Sequence, residues 1–119
     1  MELIEIAQKI ESSMERLTAL GGLLDEKGKR RSEAVTIYEK ELAKTIIGLR
    51  NGESFNIEAW KVADPPVTIL KDVAKGVVWN EKLAMDMAEV KYKNLLVEIE
   101  IEKACLLAKQ SLFRNLSHL

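Results

Sequence analysis

Apolar residues in the first 50 positions recur at the spacing of a helix that packs along one face. Steps of seven from Leu3, Ile6 and Ala7 define three adjacent rows. The rows are Leu3, Ile10, Leu17, Leu24, Arg31, Tyr38 and Thr45; Ile6, Ser13, Leu20, Lys27, Ala34 and Glu41; and Ala7, Met14, Gly21, Gly28, Val35, Leu42 and Leu49. Together they form one stripe with a period of about 3.5 residues, which is typical of coiled coils. The stripe predicts a helix over residues 2–50.

Gly21, Gly22 and Gly28 weaken this prediction, because each glycine costs a helix ~1 kcal/mol relative to alanine. A break at these glycines would give a three-helix bundle. The stripe nevertheless keeps its phase across residues 21–31, and this stretch contains no proline. We therefore favour one continuous helix and keep the three-helix bundle as the alternative.

The middle of the chain, residues 51–76, contains the breaks in the helical pattern. Asn51-Gly52 is a typical helix end. Apolar residues recur after it at irregular spacing, so the pattern assigns them no element: Phe55, Ile57, Trp60 and Val62. Asp64-Pro65-Pro66 predicts the start of a short helix, with Asp64 as its cap. That helix covers residues 67–75, and Gly76 closes it.

No glycine or proline occurs from Trp79 to Ser117, and steps of seven from Val78 again select apolar residues. The pattern predicts a helix of about 40 residues, near 60 Å long, against near 70 Å for the first helix. These lengths match as an antiparallel hairpin with a short helix at its tip. The expected organisation is a single all-α domain over residues 1–119.

The last helix carries a second apolar row that one partner helix could not cover, because one partner covers one stripe. The residues assigned to self-association are Leu83, Met87, Val90, Val97, Ile101, Cys105 and Leu112. This row predicts a homodimer that forms a four-helix assembly. Two alternatives stay open: a compact three-helix monomer that covers both rows, and a helix from a different protein on the second row.

Charge and composition narrow the function classes. The chain has 18 basic and 19 acidic residues, so its net charge of −1 argues against a nonspecific DNA coat. We expect a cytoplasmic protein, because no secretory signal is visible and no run of about 18 apolar residues could span a bilayer. Cys105 is the one cysteine. Its apolar neighbours favour a buried core thiol over a reactive one.

Catalytic and metal-binding patterns are missing from the sequence. The one histidine, His118, is the penultimate residue, so catalytic triads and histidine metal sites have no candidate. Glu98 and Glu102 share a helix face but are better interpreted as a solvated flank. No glycine-rich loop has nucleotide-binding spacing. We expect a protein that is not an enzyme and needs no cofactor or metal.

Two groups of residues are candidates for binding a partner. A basic cluster, formed by Lys27, Lys29, Arg30 and Arg31, could follow phosphates along a nucleic acid, although neighbouring acidic residues partly cancel its charge. The loop and short helix combine apolar residues with Trp60, Lys61, Lys71 and Lys75. Tryptophan is enriched at binding hot spots. Most of the apolar residues there are expected to plug the end of the hairpin.

Residues 65–116 resemble small helical proteins encoded by phages and prophages of Gram-positive bacteria. The resemblance rests on "PPVTILKDVAKG" and "AEVKYKNLLVEIEIEKACLLAKQSLFRNL". It includes a Lys-x-x-Ala-x-Gly turn and an Ala-Glu-x-x-Tyr-Lys segment, formed by Lys71, Ala74, Gly76, Ala88, Glu89, Tyr92 and Lys93. The resemblance implies an accessory role in the host cytoplasm, beside replication or recombination proteins, and supplies no catalytic residue.

The leading hypothesis is a non-enzymatic interaction protein of phage type. It would self-associate through long helices and bind a protein partner, either a recombination or replication protein or a host factor. The alternative is an accessory nucleic-acid binder that uses the basic cluster.

Overall fold

The computed structural model describes residues 2–118 and is dominated by two long helices. In chain order the elements are helix α1 (Leu3–Arg50), strand β1 (Phe55–Ile57), strand β2 (Trp60–Val62), a 3₁₀ turn (Val67–Ile69), helix α2 (Leu70–Val77) and helix α3 (Trp79–Ser117). This architecture confirms the all-α antiparallel hairpin with a short helix between its long arms. The three-helix alternative is wrong, because α1 is continuous.

The glycines of α1 lie inside the helix instead of breaking it. A Cβ atom on Gly21 or Gly22 would meet nothing within 4 Å, so neither position requires glycine for space. A Cβ atom on Gly28 would lie 3.4 Å from the Tyr92 ring. A Cβ atom at position 28 would therefore just touch the ring of α3, so space does not require glycine there either.

Contacts between residues divide the chain into two compact units. The first contains the residues up to Gly28 and those from Val90 onward. In this unit the two helices run antiparallel, with Leu20, Leu95 and Ile99 as a core that Leu17 and Leu24 extend.

A polar contact lies in the same unit. Ser13 is buried, and its hydroxyl accepts a 2.7 Å hydrogen bond from the Lys109 ammonium. The serine therefore gives the charged group of Lys109 a partner within the helix pair.

The second unit spans Lys29–Glu89. Its core consists of Leu49, Leu70 and Ala74, and the half-buried side chains of Leu42, Ile46, Phe55 and Val73 pack against that core. In the same unit, the Lys82 ammonium lies 5.7 Å from the centre of the Tyr38 ring, a cation–π contact.

Helix α1 ends in a Schellman motif, which confirms the predicted end at Asn51-Gly52. Gly52 has φ +83°, its N–H donates to the Leu49 carbonyl, and the Glu53 N–H donates to the Gly48 carbonyl. A Cβ atom on Gly48 would lie only 2.6 Å from Cζ of Phe55. Glycine at position 48 therefore makes room for the chain to fold back over the helix end.

The sequence pattern missed a two-stranded hairpin. Strand β1 pairs antiparallel with β2, so that Phe55 faces Val62 and Ile57 faces Trp60 across a two-residue turn. The signal was the alternation of apolar residues on both sides of that turn. The turn, Glu58-Ala59, lacks the Asn or Gly that usually marks it, and Glu58 itself adopts φ +52°.

Two details of the short helix differ from the prediction. Asp64 is not its cap: it has φ +47°, and the helical segment begins after Pro66 without any side-chain capping bond. Gly76 lies inside α2, which continues to Val77. A Cβ atom on Gly76 would lie 3.1 Å from the end of the Ile57 side chain, so Gly76 lets β1 approach α2.

Candidate interaction surfaces

The residues predicted to mediate self-association all lie exposed on α3. Between 43% and 59% of the surface is accessible in each of the six large apolar residues, and Cys105 is exposed as well. The six are Leu83, Met87, Val90, Val97, Ile101 and Leu112. The structure therefore places a long series of large apolar side chains outside the core of the chain.

The helical period explains why α3 has two apolar sides. Leu95 and Ile99 are buried against Leu20 of α1. Val97 and Ile101 each follow one of these residues by two positions, which is about 200° around a helix. They therefore point away from α1.

The interpretation of Cys105 as a core thiol is wrong. Cys105 is exposed, because position 105 falls outside the face of α3 that packs on α1. The apolar residues next to it in sequence point in several directions around the helix, so they do not indicate whether Cys105 itself is buried.

Ion pairs border the exposed apolar face. The Arg16 guanidinium bridges Glu98 at 2.7 Å and Glu102 at 3.3 Å, so these carboxylates help to attach α3 to α1. Within α3, the Lys103 ammonium lies 3.4 Å from Glu100. Only 17% of the Glu102 side chain is exposed, so the expectation of a solvated flank is wrong for Glu102, which joins α3 to α1 through Arg16.

The basic cluster is not a uniform exposed patch. Arg31 is half-buried and forms an ion pair with Glu89 of α3, so its charge is partly neutralised within the chain. Lys27 is half-buried, whereas Lys29 and Arg30 are exposed. Arg30 lines an open groove together with Glu33, Ile37 and Glu81, among other residues. The two acidic side chains in this groove would repel a phosphate ligand.

The residues around the hairpin and short helix separate into two groups. Phe55 and Leu70 pack into the core of their unit, as predicted for a plug. Trp60 instead is 75% exposed on β2, and Val67 is 88% exposed. The lysines predicted to accompany them, Lys61, Lys71 and Lys75, are exposed too.

A shallow pocket lies beside the short helix. It is lined by Ile46, Arg50, Val67, Leu70 and Lys71. The pocket therefore combines apolar walls with two basic side chains, and Val67 was not among the residues selected from the sequence.

Residues 2–118 contain no group of three or more His, Cys, Asp or Glu side chains that could hold a metal ion. None of the helices in that range combines the length and the apolar character needed to cross a membrane.

Comparison with protein-family models, with curated proteins and with solved structures gave no match to this chain.

Proposed function

We propose that this protein is a non-enzymatic interaction protein that associates with a second copy of itself through the exposed apolar face of α3. The observation that carries this proposal is the series of half-exposed Leu, Met, Val and Ile side chains along one helix. Contiguous exposed apolar surface marks interaction sites in proteins that are otherwise stable in water.

The size of the effect supports association. Complete burial of one such side chain contributes roughly 1.5–3 kcal/mol, so covering a half-exposed one contributes on the order of 1 kcal/mol. Several such contributions from each copy can offset the loss of translational and rotational freedom on binding. A single apolar residue elsewhere on the surface contributes too little to offset this loss.

A charge placed on this face tests the proposal. We expect Ile101→Glu to convert a dimer into a monomer, because the carboxylate would have to be desolvated in the interface. Sedimentation equilibrium gives the mass of each variant. Helix content by circular dichroism should stay unchanged, since Ile101 is 59% exposed in the chain.

Ile47→Glu is the matched control. Ile47 is also an isoleucine with 59% of its surface exposed, but it lies on α1. The proposal requires this variant to remain a dimer. Equal loss of mass in both variants would show that the effect of the charge is general, and it would contradict an interface on α3.

We propose further that the protein partner binds around Trp60. The support is the 75% exposure of this tryptophan on a short hairpin whose other end is anchored by Phe55 in the core. Large exposed aromatic side chains on a rigid element lose little entropy on binding and dominate interface energies. As the phage-type resemblance implies, the partner would be a replication or recombination protein or a host factor.

A photo-reactive amino acid at Ala59, the exposed turn residue next to Trp60, tests this surface and leaves the tryptophan in place. We expect it to crosslink one defined protein in cells, and the purified form of that protein should bind the wild type and lose binding to Trp60→Ala. The same photo-reactive group at Lys40, an exposed position of α1, is the control. If no protein captured at position 59 binds the purified chain, partner recognition at this surface is refuted.

A further inference from the structure

The exposed face of α3 follows the spacing of a coiled-coil seam. Its positions alternate by four and three residues: Leu83, Met87, Val90, Asn94, Val97, Ile101, Ala104 and Ala108. All of them are exposed. In heptad notation, Met87, Asn94, Ile101 and Ala108 take a positions, whereas Leu83, Val90, Val97 and Ala104 take d positions.

We propose that a second copy of α3 occupies this seam in parallel orientation and in register, so that the two Asn94 side chains face each other. The inference rests on the proposed self-association and specifies its geometry. Asn94 is polar, so a row defined by apolar residues alone does not include it.

The polar side chain of Asn94 selects the orientation. A parallel, in-register pair places a positions opposite a positions, so the two amides can hydrogen-bond to each other. An antiparallel pair places a opposite d, and every d position of this seam is apolar, so Asn94 would face an apolar side chain of the other copy. A buried amide without a partner is costly, and two would be buried in each dimer.

Charged residues at the edges of the seam select the register. In a parallel pair, each g position approaches the e position five residues further along the other helix. In register, this brings Asp86 towards Lys91 of the other copy and Lys93 towards Glu98. Opposite charges therefore meet at both places.

A shift by one heptad reverses this pattern. On one side of the seam, Asp86 would then meet Glu98 of the other copy. On the other side, Lys93 of the other copy would meet Lys91, and its Glu100 would meet Glu98. Like charges at these distances repel. Within one chain Asp86 already accepts from Lys82 and Glu98 from Arg16, so the in-register contacts would extend existing ion pairs.

Engineered disulfides test the geometry. Residues at d positions face their equivalents in a parallel pair, at a distance that a disulfide can bridge. In a Cys105→Ser background, we expect Val97→Cys to form a covalent dimer under mild oxidation at low protein concentration. Lys103→Cys in the same background is the control: it is exposed on α3 but lies off the seam, and it should crosslink far more slowly.

The outcomes separate the geometry from the association itself. A chain that sediments as a dimer, yet crosslinks no faster through position 97 than through position 103, refutes the parallel register and leaves self-association intact. A chain that sediments as a monomer refutes both proposals.

Substitution of Asn94 supplies an independent measurement. We expect Asn94→Val to lower the dissociation constant of the dimer about tenfold or more, because polar residues at a positions fix the register at a cost in stability. Asn94→Val leaving the dissociation constant unchanged would mean that Asn94 faces solvent, and it would overturn the proposed contact.

Discussion

At the scale of single residues, two glycines of α1 lie in different environments and have opposite effects on stability. Gly48 is buried beneath Phe55, and an added Cβ atom would lie 2.6 Å from Cζ and 2.9 Å from Cε2 of that ring. Gly22 is exposed in the same helix, with nothing within 4 Å of an added Cβ. The two positions therefore respond differently to the same substitution.

We expect Gly48→Ala to lower the free energy of unfolding by roughly 1–3 kcal/mol, because the methyl group would displace the Phe55 ring. Gly22→Ala should raise it by about 0.5–1 kcal/mol through better helix propensity. Urea denaturation followed by circular dichroism measures both. A stabilised Gly48→Ala variant would contradict the close packing of β1 over the end of α1.

Whether the role of a single residue could be predicted from the sequence depends on whether that role arises from local backbone geometry or from contacts with distant parts of the chain. Gly52 was recognised as a helix end, because its left-handed backbone is a local requirement of the turn. The need for glycine at positions 48 and 76 arises from contacts with β1, which the sequence pattern had not identified. Cys105 was assigned from its neighbours instead of from its place on the helix face, and that assignment failed.

At the scale of elements, the bounds of both long helices could be predicted closely. The apolar stripe keeps its phase through residues 21–31, and α3 lacks any breaker between Trp79 and Ser117. The hairpin could not be assigned with equal ease, since three-residue strands carry little pattern and the turn Glu58-Ala59 lacks its usual residues. A short helix was predicted where α2 lies, but the prediction of Asp64 as its cap was wrong.

The two sides of α3 should respond differently to protein concentration. We expect the melting temperature of the wild type to rise with concentration, since association stabilises the folded chain by mass action. Ile101→Glu should abolish that rise. Ile99→Ala, on the buried side, should cost about 2–4 kcal/mol and lower the melting temperature while preserving its dependence on concentration.

Thermal unfolding over about a hundredfold range of concentration measures these differences. A wild-type melting temperature that is independent of concentration would contradict coupled folding and association. A loss of concentration dependence in Ile99→Ala alone would place the interface on the wrong side of α3.

The basic cluster on α1 should not bind nucleic acid strongly. Arg31 is already paired with Glu89, and acidic side chains share the groove that Arg30 lines. We therefore expect no salt-sensitive binding to labelled duplex or single-stranded DNA at physiological ionic strength, as measured by fluorescence anisotropy.

The opposite result would favour the nucleic-acid alternative. Binding that weakens steeply with salt, disappears in Lys29→Glu and persists in Lys40→Glu would assign the contact to the cluster. Lys40 is an equally exposed lysine of α1 outside the cluster, so it controls for the loss of one positive charge.

At the scale of the whole molecule, the chain buries few large side chains for its length. Eight hydrophobic residues are buried in the described part of the chain, whereas eighteen large ones are exposed. The sequence indicated this imbalance through the second apolar row of α3. It could not specify what covers that row, because periodicity reports which face is apolar and says nothing of the partner's identity.

The central claim is that the apolar face of α3 is covered by a second copy of the chain. Light scattering coupled to gel filtration measures the mass of the wild-type protein in solution, against a chain mass of 13.4 kDa. We predict twice the chain mass, falling towards one chain on dilution. A mass of one chain at every concentration tested would contradict the claim. The alternative that a different protein covers the exposed face would then be favoured.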